Sequence, residues 1–109
     1  MGWEKLLKRH KSAMSLKDIR AINYVMRDGN FRTADTIMDE IYELIQENKK
    51  LGSKKVERMK ERPSITTFAS SKATIKIYMT NSPEFESRDT GNKTFTNNPI
   101  IEFRYIGVR

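Results

Sequence analysis

The chain has no cysteine, one histidine and only three prolines among its 109 residues. Without cysteine there is no disulfide framework and no thiolate metal site, which suits a reducing compartment such as the cytoplasm. The one histidine, His10, stands between Arg9 and Lys11 and reads as an exposed surface group, so no Ser–His–Asp set can be built around it. The five glycines are scattered, and no phosphate-binding loop follows from them. No apolar run approaches the roughly 20 residues needed to span a bilayer. The charged N-terminus lacks the apolar stretch of a secretory signal, so none is expected. No internal repeat is visible.

Carboxylates are present but poorly placed for chemistry. Asp35, Asp39 and Glu43 recur at helical i, i+4 spacing, which fits a solvated acidic face better than a Mg²⁺ site, and that face could also meet a basic partner. Glu84, Glu86 and Asp89 cluster near the C-terminus, yet the Pro-Asp…Glu-x-Lys pattern of metal-dependent nucleases is missing. The expectation is a protein that is not an enzyme, with no catalytic or metal-binding residues and no cofactor.

The chain is also short of acid. Twenty-one basic residues face 14 acidic ones, for a net charge of +7. The excess is segregated: residues 1–14 sum to +3, 15–48 to −3, 49–62 to +5 and 63–109 to +2. Lys49, Lys50, Lys54, Lys55, Arg58, Lys60 and Arg62 lie in one run with only Glu57 and Glu61 against them. Clustered cations of this kind are an electrostatic footprint for a polyanion, nucleic acid first, although a solvated linker has the same composition. An anionic membrane surface and an acidic protein follow as partner classes.

The chain has the length of one domain with a modest core. A short basic amphipathic segment, 1–14, with Trp3, Leu6 and Leu7 at helical spacing, precedes a domain over 15–109. Two turns with one Trp bind a membrane surface weakly, so no membrane partner is expected. Ser15-x-x-Asp18 has the form of a capping box before Leu16, Ile19, Ile22 and Met26, which predicts a helix from about Ser15 to Arg27. Asp28-Gly29-Asn30 stops it. Phe31-Arg32 is a short extended piece, and Thr33 is the expected N-cap of a second helix with Ile37, Met38, Ile41, Leu44 and Ile45 as its stripe. That helix should end near Lys49–Gly52. Val56 and Met59 could place one helical turn inside the basic linker 49–62.

Pro63-Ser64 then has the look of a third helix start. Ile65, Phe68, Ile75 and Met79 share one arc, with the stems of Lys72 and Lys76 on it. Ala73, Ile75, Ile77 and Met79 alternate as a strand would, so helix and strand both remain open for 64–80, with helix preferred for its length. Asp89-Thr-Gly-Asn-Lys93 is the clearest turn signal. Ile101, Phe103 and Tyr105 alternate with Glu102 and Arg104 as a last strand, and the segment 94–99 makes a long polar hairpin tip. Phe95, in that tip, is the best exposed aromatic for stacking on a base.

The order helix, extended piece, helix, helix, strand, loop, strand resembles the winged helix-turn-helix domain over roughly residues 15–106. The Phe31-Arg32 insert, Pro63-Ser64, Ser82-Pro83-Glu84-Phe85 and Ile101–Ile106 carry the resemblance. It implies an α+β fold, a three-helix core with a C-terminal β-hairpin. In that family the third helix enters the DNA major groove and the hairpin, or wing, touches the backbone or minor groove. By that resemblance Ser64, Thr66, Thr67, Ser70, Ser71 and Thr74 would face the DNA. Arg88, Asn92 and Lys93 would lie on the wing, and the basic run would grip phosphates near the start of the third helix. The sequence departs from the family in a long, charged link between the second and third helices. It also lacks Arg, Asn or Gln on the reading face, the residues that make bidentate base contacts. Backbone grip should therefore exceed sequence discrimination.

The expectation is a small protein that binds double-stranded DNA and acts as a transcriptional regulator, in the cytoplasm. It would be associated with a nucleoid, or with host cytoplasm if viral. Small basic proteins of this kind are common in viruses and archaea. The rival readings are an RNA binder and a protein-interaction module, and the oligomeric state is left open.

Overall fold

A computed structural model describes residues 14–107. Trp3, Leu6, Leu7 and His10 lie outside the described residues. Helix α1 spans Leu16–Val25, and Ser15 caps it by accepting a hydrogen bond from the Asp18 amide at 3.3 Å. Only half of the capping box forms. The Asp18 carboxylate turns inward, is buried, and accepts a hydrogen bond from Ser70 at 2.7 Å. A two-residue strand β1, Arg32–Thr33, leads into helix α2, Ala34–Leu51, whose N-cap is Thr33.

Gly52 ends α2 at φ +85°, ψ 152°, a backbone region open essentially to glycine alone. It separates α2 from a short helix α3, Ser53–Glu57, anchored by buried Val56. Helix α4 spans Lys72–Asn81. Strands β2, Phe85–Lys93, and β3, Pro99–Tyr105, complete the chain.

The sheet is antiparallel in the order β1–β3–β2. Ile22 of α1 and Met26 at its C-cap, Ile37 and Ile41 of α2, and Ile75 and Met79 of α4 are fully buried together. Phe85 and Phe103 close this core from the sheet. Tyr78, Phe85 and Tyr105 form an edge-to-face relay between α4 and the strands, with centroids 5.8 and 5.7 Å apart. The result is an α+β domain with a three-helix core and a C-terminal hairpin, a winged-helix-like layout, with α3 as an added element. Among the described residues no helix is long and apolar enough to cross a membrane.

The third core helix departs from the sequence expectation. It begins at Lys72, not at Ser64, and residues 62–71 have no regular secondary structure. Distant polar partners hold this stretch. Asn48, buried at 3% exposure, donates to the carbonyls of Pro63 and Ile65 at 3.0 and 2.8 Å. Ser71, not Ser64, is the N-cap, accepting from the Thr74 amide at 3.2 Å. Ser71→Ala should therefore cost about 1 kcal/mol in urea unfolding, whereas Ser64→Ala should be neutral. The reverse order would put the helix start back at Ser64.

The hairpin reverses later than its turn signal. β2 runs through Asp89–Lys93, and the five residues become an irregularity in the ladder, where the register shifts between Asp89 and Lys93. Asp89 accepts from the Gly91 amide at 2.8 Å, and Thr90 donates to the Ile100 carbonyl across the pair at 2.9 Å. The reversal itself is Thr94–Asn98, with Asn97 left-handed at φ +66°.

Arg32 ties β1 to the helices. It grips both carboxylate oxygens of Asp28 at 2.6 and 2.7 Å and reaches Glu40 at 2.5 Å. These hydrogen bonds hold the Asp28 carboxyl well below the usual carboxylate range and raise the Arg32 guanidinium. A depressed folded-state value means the contribution is complete above the unfolded value of about 4 and is lost as pH falls below it. Asp28 is 43% exposed. The screened effect should be about 1 kcal/mol or less. Asp28→Asn should flatten the corresponding part of the stability–pH curve below ~4, measured by urea unfolding.

Candidate nucleic-acid interface

The C-terminal end of α2 gathers the cations. Lys49 and Lys50 form its last turn, Lys54 and Lys55 lie on α3, and Arg58 and Lys60 follow in the turn region. All six side chains are exposed, and among the described residues none forms a salt bridge. Helix geometry explains the exposure. Leu44, Ile45 and Asn48 take the buried face of the last turns, and Val56 alone of α3 faces inward. The lysines are left on the solvent side.

Arg62 behaves differently. Its side chain is 11% exposed, donating to Asn48 Oδ1 and Glu47 Oε2 at 2.8 Å each. It fastens the extended stretch to α2 instead of standing free.

The basic run does not lie near the start of the third core helix, as the family resemblance had implied. Lys72, the first residue of α4, pairs with Asp35 in the first turn of α2. Lys49 sits fourteen residues further along α2, about 20 Å away at 1.5 Å per residue. The start of α4 thus faces the acidic end of α2, beside Asp39 as well, and the Asp35 hydrogen bond raises the Lys72 ammonium. The cations cluster at the opposite end.

The proposed hydroxyl face is dispersed for the same reason. Ser64 and Thr66 are exposed on the extended stretch, and Thr67 accepts from Lys17 Nζ at 2.7 Å. Ser70 is turned onto Asp18, and Ser71 is spent on the cap. Only Thr74 lies within α4, half-buried in its first turn. The outward side of α4 is instead Ala73, Lys76 and Thr80, with Asn81 at its end. Lys76 could have been found from the sequence by choosing Ser71-x-x-Thr74 as the helix start: without Ile65 and Phe68 the apolar face is Ile75, Tyr78 and Met79, and Lys76 falls outside it.

On the wing, Arg88 pairs with Glu102 across the strands, and its guanidinium lies 3.7 Å from the Phe31 ring centroid. Arg104 pairs with Glu86 at 2.8 Å and stacks on the same ring at 4.8 Å. These arginines build the outer face of the sheet. Asn92 and Lys93 are exposed near the tip. Phe95 is fully exposed, at 102%. The tip below it is braced: the Thr94 and Asn98 backbones bond at 2.8 Å, and Thr96 and Asn98 side chains close on each other at 3.2 Å.

No protein-family model matches the chain, and searches of curated proteins and of solved structures give no significant match.

Proposed function

We propose that this protein binds nucleic acid, double-stranded DNA first, by gripping phosphates with the exposed cations at the C-terminal end of α2. The observation that carries the reading is the set Lys49, Lys50, Lys54, Lys55, Arg58 and Lys60, solvent-facing and without acidic partners among the described residues. A surface of clustered unpaired cations gains most from releasing the counterions of a polyanion. The winged-helix-like layout supports a place among winged helix-turn-helix proteins, and a role in transcriptional regulation in the cytoplasm would follow from it. The docking differs from the family's usual mode: the basic end leads, and α4 offers Lys76 and Thr80 as a weak reading face. The wing adds Lys93 and, at its braced tip, Phe95 as a stacking surface. The protein acts by docking, not catalysis.

Fluorescence anisotropy with a labelled random-sequence duplex tests this. Five phosphate contacts would give a log–log salt slope of about −4.5, so affinity should fall several hundredfold between ~50 and ~200 mM salt. No binding at the lower salt would end the proposal. Tighter binding to single-stranded or A-form RNA would move it to RNA.

A further inference from the structure

Helix α1 carries a second cationic stripe, which the basic run does not include. Lys17 and Arg20 stand exposed on it, half-buried Tyr24 follows, and Arg27 lies exposed two residues past its end. The extended stretch after α3 runs beside it, and the two enclose a groove. One depression, about 480 Å³, lies between Arg20, Tyr24, Arg27 and Arg62–Pro63. The next, about 220 Å³, lies between Leu16, Arg20, Pro63 and Ile65. Arg20 and Pro63 border both, so the depressions adjoin.

The walls are fixed before anything binds. Asn48 pins the stretch at Pro63 and Ile65, while Lys17–Thr67 and Ser70–Asp18 pin its other end to α1. A preorganised wall lowers the ordering cost of association.

Three features specify the occupant. The first is charge. Arg20 and Arg27 have no carboxylate partner among the described residues, Lys17 meets only a hydroxyl, and Glu61 is the one acid on the rim. The second is apolar surface: Leu16 is 61% exposed at one end of the groove, and half-buried Pro63 adds to it. The third is backbone. No N–H from Ser64 to Ser71 donates a hydrogen bond to another described residue. The amides of Ser64, Ile65 and Thr66, which border the groove and which no described residue takes up, are what an added extended chain pairs with.

Nucleic acid would answer the first feature alone. A peptide answers all three. We infer that the groove between α1 and residues 61–66 binds an extended acidic peptide bearing apolar side chains. The inference stands independently of the nucleic-acid reading.

The test uses the full chain and a fluorescein-labelled peptide alternating glutamate with leucine, beside an all-glutamate peptide and a lysine–leucine peptide. The glutamate–leucine peptide should bind and the lysine–leucine peptide should not. Arg20→Glu reverses the charge common to both depressions and should weaken binding about tenfold. Leu16→Ser, at an exposed position that tolerates change, should weaken it about threefold. Lys54→Ala/Lys55→Ala should leave it unchanged. Circular dichroism checks that each variant is folded. The proposal is overturned by equal affinity for the all-glutamate peptide, or by no binding at all. It is equally overturned if both groove variants bind as the parent does, or if the Lys54/Lys55 variant loses as much as Arg20→Glu. A duplex that displaces the peptide and itself loses tenfold with Arg20→Glu would assign the groove to nucleic acid instead.

Discussion

Replacing Lys54, Lys55, Arg58 and Lys60 together with alanine should weaken duplex binding by on the order of a hundredfold at ~50 mM salt and lower the salt slope by about 3.6. The four side chains are exposed, unpaired among the described residues and remote from the core, so the variant should unfold at the parent's denaturant midpoint. Loss of affinity with unchanged stability is the signature of removed phosphate contacts. Arg88→Ala supplies the contrast. Its guanidinium is held by Glu102 and Phe31, so its removal should lower stability modestly and leave the salt slope alone. Equal affinity of the quadruple variant and the parent would refute phosphate gripping at this end of α2.

The largest stability effect should come from a single buried amide. Asn48→Ala removes both donors to the Pro63 and Ile65 carbonyls and the acceptor for Arg62 Nε at 2.8 Å. The carbonyls and the guanidinium lose their partner at a site that water reaches poorly. A cost of about 3 kcal/mol follows, part hydrogen bonding and part stranded polar groups. For a domain of this size that is a drop of roughly 15 °C in Tm. Asn48→Asp should be no better, because a carboxylate would face two carbonyl oxygens. Thermal and urea unfolding decide it: a loss under ~0.5 kcal/mol would mean that the extended stretch is held by Ile65 burial alone.

Asn48 also marks where sequence reasoning stops. Helices α1 and α2 were legible because their signals are local: Ser15 and Thr33 cap them, and the apolar stripes repeat every turn. The last strand was legible from the alternation of Ile101, Phe103 and Tyr105. The start of α4 was not. Ser64 and Ser71 both precede apolar residues at helical spacing, and the choice between them is made by Asn48 and Asp18, which lie 15 to 52 residues away. Nothing near Ser64 announces those bonds. The hairpin and its tip were legible, but the turn signal before the tip misled differently. Asp89-Thr-Gly-Asn-Lys93 has turn chemistry, and the chain uses it to kink a strand, because pairing of residues 85–89 with 101–105 continues past it to Lys93 and Pro99. The cluster of cations was visible in the sequence, but its position relative to α4 was not. The Lys72–Asp35 pair marks the start of α4 at the other end of α2.

The separation of charge along α2 has a mechanical consequence. Asp35, Asp39, Glu40 and Glu43 occupy the early turns, and Lys49 to Lys60 extend from the last. The side chains therefore form an electric dipole along the helix, opposed in sense to that of its peptide groups. In the field of a polyanion such a molecule experiences a torque as well as an attraction. It would be turned basic end first before contact, with its acidic end trailing, so that encounters in the wrong orientation are filtered out over a distance of about one Debye length.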